Sequence, residues 1–397
     1  ATSWRVMEPP QNNTTPGCAE ACSMACCGLE SSAASDESGP SAFFAEKKSP
    51  ERATPQKAAA GQEAKKKTKK TKKTRRRPSP RAVLFEEVLR ESKETRMLTL
   101  RRRVIAGDTD AASRPIAWKL LLGLGRFDST TYRDLVLRGP CAADDQIRND
   151  AARTFRCDEV FRNGLEDRNA QLARLLNALR FARQEAHLAR TGGANRCAVA
   201  ALLLTFLPTE IEAFFCLEHF ARRHCPTYFS ETLHGASAGA ALVAACLRHV
   251  DGPYAASICS RVFEDCCAFP LMASFLACAR PIPQVAVLWD LLFAMGAHFL
   301  VFLVVALFLE QKGRKASSSP FSPTCRHLCE RDNPLAALQP HALPLLDGSK
   351  IARIALHDVL PAIPPPLADL VRRHTKADVQ RDLSRFRAAA AAATTTS

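Results

Sequence analysis

From Arg81 onward, apolar residues recur at helical rather than strand spacing along most of the chain. In RAVLFEEVLRESKE, Val83, Phe85, Val88 and Leu89 follow that spacing, and LTLRRRVIAG after it ends at Gly107, a natural helix stop. RPIAWKLLLGLG reads as a short helix that glycine again closes. AQLARLLNALRFARQEAHLA places Leu172, Leu175, Leu176 and Leu179 on one face, which predicts an amphipathic helix. Thr209 followed three residues later by Glu212 predicts a capping box that opens the next helix just after Pro208. Further helices are expected over 236–250, 254–264, 285–309, 349–360 and 365–386. No stretch combines sustained period-two alternation with hairpin signals, so the expected fold class is all-α.

Three stretches fall outside this pattern. Residues 1–80 carry SSAASDESGPS, a lysine run and Pro78-Ser79-Pro80, which predicts a disordered tail, because such a segment buries too little apolar surface to offset its chain entropy. Cys18, Cys22, Cys26 and Cys27 lie in it without a histidine at ligand spacing and read as tail thiols, not a zinc site. Serines and prolines over roughly 312–335 predict a loop, in which Cys325-Arg326-His327-Leu328-Cys329 is too short and isolated to hold zinc. The end, 387–397, is low in complexity. The folded domain is therefore expected over 81–386.

Leu291 to Leu309 carries no formal charge and is long enough to span a bilayer. Gly296 and His298 interrupt it, Asp290 stands at its start without an aromatic belt, and no second segment matches it. The expectation is a central helix buried on all sides of a large helical domain.

Composition changes this picture only in part. With 397 residues and 47% hydrophobic side chains the chain can build a substantial core. The net charge is +15, but KKKTKKTKKTRRR at 65–77 supplies ten of those charges, which leaves the folded part only mildly basic. Nucleic-acid binding would rest on that run, and lysine blocks without interleaved aromatics argue against base stacking. Nuclear targeting by 65–77, or adhesion to an acidic partner, stays open. The 16 cysteines are scattered through apolar helical patterns, which suits reduced thiols in an intracellular compartment.

No P-loop, GxSxG, HExxH or dinucleotide fingerprint is present, so no reaction, metal or cofactor of the chain's own is expected. One ordered constellation remains: Arg114-Pro115-Ile116-Ala117-Trp118, then Ile147-Arg148-Asn149-Asp150-Ala151-Ala152-Arg153-Thr154-Phe155, then Leu288-Trp289-Asp290-Leu291-Leu292-Phe293. Each piece alone is weak. An RxxxW match fits any helix that buries a tryptophan, and Asp150 with Arg153 could be a surface ion pair worth a few tenths of a kcal/mol.

In this order the pieces resemble the TBC family of Rab GTPase-activating proteins, over about residues 83–375. The family shows R-x-x-x-W, I-x-x-D-x-x-R-T, a YxQGM element and a late W-D pair; here the first, second and fourth stand. PTEIEAFFCLEHFARRHCPTYF and ACARPIPQVAVLWDLLFAMGAHF resemble the branch that restrains mitotic exit and septation. The resemblance implies two stacked helical subdomains and a small GTPase of Rab or Ras type as partner, with GTP and Mg²⁺ on that partner. It implies Arg153 as an arginine finger supplied in trans, Asp150 orienting it and Thr154 fixing the loop. Arg114, Trp118, Ile147, Trp289 and Asp290 become motif residues of the frame. It further implies a second activator subunit or spindle-pole scaffold, a cytoplasmic or centrosomal location, and membrane contact only through the GTPase. The chain departs from the family at the YxQGM element, where Gly192-Gly193-Ala194-Asn195-Arg196-Cys197 stands and the glutamine position falls on Ala194. An alternative is therefore a catalytically silent GTPase-binding scaffold.

Overall fold

The computed structural model describes residues 92–125, 127–154, 165–183, 193–317 and 335–395. The predicted tail over 1–80, the start of the first predicted helix, Phe155, and Cys325 to Cys329 lie outside them. Among the described residues every regular element is helical.

Helix α1, Lys93–Ile105, begins at Ser92, whose hydroxyl accepts the Thr95 amide, and stops before Gly107 at φ 82°. α2, Arg114–Leu121, carries Pro115 in its first turn and ends before Gly123. α3, Ser129–Leu137, is capped by Asp128, and α4 spans Asp144–Arg153. In α5, Leu165–Ala182, all four leucines of the predicted face are buried. α6, Gly193–Phe206, is apolar nearly all round and accordingly central.

α7, Glu210–His219, forms half of the predicted capping box. The Thr209 hydroxyl accepts the Glu212 amide at 3.2 Å, but the Glu212 carboxylate turns away to Lys119 of α2 at 2.6 Å. A cross-helix ion pair has replaced the reciprocal bond. Thr209→Ala should therefore cost about 1 kcal/mol, the worth of a single cap bond, read as a shift of the urea midpoint.

The C-terminal half holds α8, His234–Val250, and α9, Gly252–Ile258. It continues through α10 over residues 261–273, α11, Ile282–Met295, and α12, Leu300–Ser317. α13 over residues 348–362, α14, Pro365–Arg373, and α15, Gln380–Thr395, complete it. Three predicted single helices are broken. The one over 254–264 parts at Ser260, whose hydroxyl caps a new start by accepting the Phe263 amide. The one over 285–309 parts at Gly296, where φ 102° and ψ 156° belong to a region that side chains disfavour. A 3₁₀ turn, Ala297–Phe299, then redirects the chain, so the uncharged run is divided between the end of α11 and the start of α12. Among the described residues no helix is long and apolar enough to cross a membrane. α12 also extends through Ser317, into the predicted loop.

The third break, between α14 and α15, is built around His374, which is fully buried. Its Nδ1 lies 2.6 Å from the Val371 carbonyl and must donate to it, so Nε2 accepts from the Tyr228 hydroxyl at 2.7 Å. The Thr227 hydroxyl donates to the His374 carbonyl at 2.8 Å. α15 then runs on to Thr395, so the low-complexity end is helical there, and Arg387 on it pairs with Glu264 of α10 at 2.7 Å.

The helices form an N-terminal group, α2–α7, and a C-terminal group, α8–α15. One continuous core joins them, with α11 crossing over to meet α1 and α2. His374 ties the last helices to this core as a neutral imidazole, and burial pushes its pKa down from 6.5 to about 4. A base depressed in this way stabilises the fold above its unfolded pKa, and the contribution is lost as pH falls through the interval toward the folded value. At about 1.4 kcal/mol per pH unit, the wild type should lose about 2 kcal/mol between pH 8 and pH 5 through this group. His374→Gln should lack that component, as the difference between the two urea-midpoint profiles would show.

Candidate functional site

Two groups of the sequence motif assemble in the fold, and α6 connects them. The first is buried. Arg114 Nε and Nη2 donate to the two carboxylate oxygens of Asp290, both at 2.9 Å, in the fork-to-fork arrangement that guanidinium and carboxylate geometry favours. The Trp118 indole N–H donates to the same carboxylate at 2.7 Å. These residues come from α2 and α11, so one carboxylate fastens the N-terminal group to the C-terminal one. Trp118, Trp289 and Phe293 pack above it with ring centroids 5.3 to 5.7 Å apart. The Trp289 N–H donates at 2.7 Å to the carbonyl of Phe275, which together with Leu276 holds a left-handed backbone (φ 52° and 64°). Such residues cost of order 1 kcal/mol each, which the indole bond and complete burial offset. Burial pushes the Asp290 carboxyl up, while Arg114 and Trp118 hold it toward the charged form.

The second group lies at the C-terminal end of α4. Asp144 and Asp145 occupy the first turn, where acids suit the helix dipole. Asp144 bonds Arg148 and Asn177 of α5, and the Asn177 amide oxygen accepts the Cys141 amide, so the start of α4 is fixed to its neighbour. Ile147 and Ala151 face the core. Thr154 closes the helix: its hydroxyl donates to the Asp150 carbonyl at 2.7 Å, and its backbone N–H bonds the Ala151 carbonyl. Arg153 stands exposed in that last turn. Asp150 is half-buried; burial pushes its carboxyl up, and the charge of Arg153 pulls it back.

Cys197 in the first turns of α6 meets this end of α4. Its thiol is fully buried; burial pushes it up, and the Asp150 charge acts in the same sense. At the other end of α6, Phe206 lies beneath Arg114, with the guanidinium 5.5 Å from the ring centroid. The nine residue steps from Cys197 to Phe206 set the two groups roughly 14 Å apart along one rigid helix. Ala194 belongs to the first turn of that helix and therefore to the Arg153 end.

The sequence reading missed several residues here: Asn177, Phe206, and the pair Arg183 and Arg196. The last two both donate to the Phe229 carbonyl, at 3.4 and 3.1 Å. They stand at the end of α5 and the start of α6. Nothing local in the sequence announces a meeting on a carbonyl more than thirty residues away.

The site is thus part of an all-helical domain in which a buried Arg–Trp–Asp fastening stands beside a helix that ends in an exposed arginine. The sequence model of the Rab-GTPase-TBC domain family matches residues 111–315, just over half of the chain. This chain belongs to that family, for which a small GTPase is the class of partner. It is 28% identical over 273 residues to "Putative mitotic check point protein BUB2" of Dictyostelium discoideum, covering 69% of this chain and 68% of that protein. It is 26% identical over 269 residues to "Cell division control protein 16" of Schizosaccharomyces pombe, covering 67% and 81%. The solved YPT/RAB-GAP domain of GYP1P superposes with a TM-score of 0.55 at 14% identity, covering 71% of this chain and 97% of that one, and so shares the fold.

Proposed function

We propose that this chain is a GTPase-activating protein that supplies Arg153 in trans to a small GTPase of Rab or Ras type, in the control of mitotic exit or cytokinesis. The observation that carries this reading is the placement of Arg153. It is exposed at the last turn of a helix whose start is bonded to α5, whose opposite face is buried and whose end Thr154 closes. The planar fork of a guanidinium matches phosphate oxygens. GTP and Mg²⁺ arrive on the partner. Asp150 acts on Arg153 through its field, and Thr154 holds the turn. The cell-cycle assignment follows the printed names of the relatives. A second activator subunit or spindle-pole scaffold, a cytoplasmic or centrosomal location, and membrane contact only through the GTPase belong to the same proposal.

A second reading, a silent scaffold that binds the GTPase without accelerating it, is favoured by Ala194 at the family's glutamine position, since a methyl group cannot hold a water. Single-turnover hydrolysis by a panel of GTP-loaded Rab- and Ras-type GTPases, with and without the full chain, separates the two. Acceleration of one member supports the activator. Binding of GTP-loaded protein with no acceleration anywhere sinks it and leaves the scaffold.

A further inference from the structure

α8, α10 and α15 line a cavity of about 300 Å³ in the C-terminal group. Ala240 and Ala241 form part of its wall on α8, where small side chains leave the space open. On α10 the winding changes from α to π at Glu264–Ala268, a kind of turn that often marks a functional site. There the adjacent Glu264 and Asp265 both line the cavity. Gln380 and Arg387, seven residues apart and so on one face of α15, line it from the other side. The ion pairs around the cavity leave acceptors over. Arg387 Nη2 donates to Glu264 Oε1 at 2.7 Å and to the Ala241 carbonyl at 2.8 Å. Glu264 Oε2 is 3.9 Å from Arg261 Nη1, too far for a hydrogen bond, and no described residue donates to it. Glu264 is only 7% exposed, yet Oε2 is not among the atoms that the protein seals off, so it opens on the cavity. Arg261 Nε donates to Asp265 Oδ2 at 2.9 Å, which leaves Oδ1 without a donor among the described residues. The Ser237 hydroxyl and the Gln380 carboxamide line the same space and make no hydrogen bond with the described residues.

We propose that this cavity binds an alkylguanidinium group, carried by a small molecule or by an arginine of a partner protein. A carboxylate held out of water with one oxygen unbonded is costly, and a charged donor removes that cost. A guanidinium has five N–H donors in one plane, enough to meet Glu264 Oε2, Asp265 Oδ1, the Ser237 hydroxyl and the Gln380 amide oxygen together. Its flat face also suits the ring of Phe269, which lines the same space. The two arginines already present do not turn the cavity into an anion site. Arg387 is neutralised by Glu264, and its Nε is sealed from solvent. Arg261, its side chain 79% exposed, is paired with Asp265 and screened by water. The site does not rest on the role given to Arg153.

The test titrates the full chain with n-butylguanidinium and with n-butylurea, its neutral counterpart, followed by ligand-observed NMR. The cation should bind at least about tenfold more tightly, because only it carries the charge that the open carboxylate oxygens attract. Glu264→Gln should weaken it about tenfold or more, since the amide keeps an acceptor for Arg387 and turns an N–H₂ on the cavity. Asp265→Asn, at a side chain 42% exposed and therefore harmless to the fold, should weaken it about fivefold. Asp369→Asn, at an exposed carboxylate that pairs with Arg373 outside the cavity, should change it less than about twofold. An acetylated and amidated Gly-Arg-Gly peptide, set against its citrulline form, tells the two sources apart. Binding tighter than that of butylguanidinium assigns the site to a partner's arginine, and weaker binding assigns it to a small molecule. Equal binding of butylguanidinium and butylurea would overturn the proposal. So would no binding of either cationic probe, or binding that Glu264→Gln and Asp265→Asn both leave unchanged.

Discussion

On the proposed reading, Arg153→Ala is expected to abolish the acceleration of GTP hydrolysis, a loss on the order of 10³- to 10⁵-fold in the single-turnover rate. Affinity for the GTP-loaded GTPase should change far less. The guanidinium's main work is on charge that develops as the phosphoryl group transfers, and an interaction made in the transition state lowers the rate, not the ground-state affinity, when removed. Arg153→Lys should recover only a small part of the rate, because an ammonium keeps the charge but not the bidentate fork. Because the side chain is exposed, thermal stability should stay within about 0.5 kcal/mol of wild type. A variant as active as wild type would show that the finger is another residue.

The same assay decides where the water is held. If alanine at 194 leaves the chain with an arginine only, the GTPase must orient the water with its own glutamine. A partner with that glutamine changed to leucine should then resist activation. Introducing Ala194→Gln should make hydrolysis independent of the partner's glutamine, because residue 194 lies in the first turn of α6, at the end that meets Asp150 and Thr154. The two outcomes separate a borrowed water-positioning group from one that never acts.

Helix type and the buried faces were legible wherever periodicity alone decides them, as for Leu172, Leu175, Leu176 and Leu179 in α5. Breaks were less legible, because each depends on a conformation or partner that hydropathy does not encode. The Gly296 dihedrals split one apolar run, and inward bonds from His374 split another. At the site, motif order was informative because Arg114, Trp118 and Asp290 must meet across some 170 residues to satisfy one another. The resemblance gave Thr154 a place in the loop, but no end signal in the sequence marked it as the residue that closes α4. Nor did the sequence mark the packing of Cys197's helix against α4, since a buried thiol resembles any core residue in sequence. Glu212 shows a local rule giving way: the capping box was available, and Lys119 from another helix took the carboxylate.

Asp290→Ala should be the most damaging single substitution in the frame, at a cost of about 3 to 5 kcal/mol. Arg114 is 8% exposed and Asp290 5%, so removing the carboxylate strands a buried guanidinium and the Trp118 N–H with no water to replace their acceptor. The loss exceeds the net worth of the pair, because the intact pair also bears the desolvation of both ions. That asymmetry makes a second expectation. Arg114→Met combined with Asp290→Leu should be substantially more stable than Asp290→Ala, since no unpaired charge remains, although Trp118 still lacks its acceptor. Urea unfolding followed by tryptophan emission reads this directly, as Trp118 and Trp289 both border the cluster. If the double variant proved as unstable as Asp290→Ala, the damage would lie in lost contacts between α2 and α11 and not in a stranded charge. The joint between the two helical groups would then depend on shape, with the ion pair only setting its register.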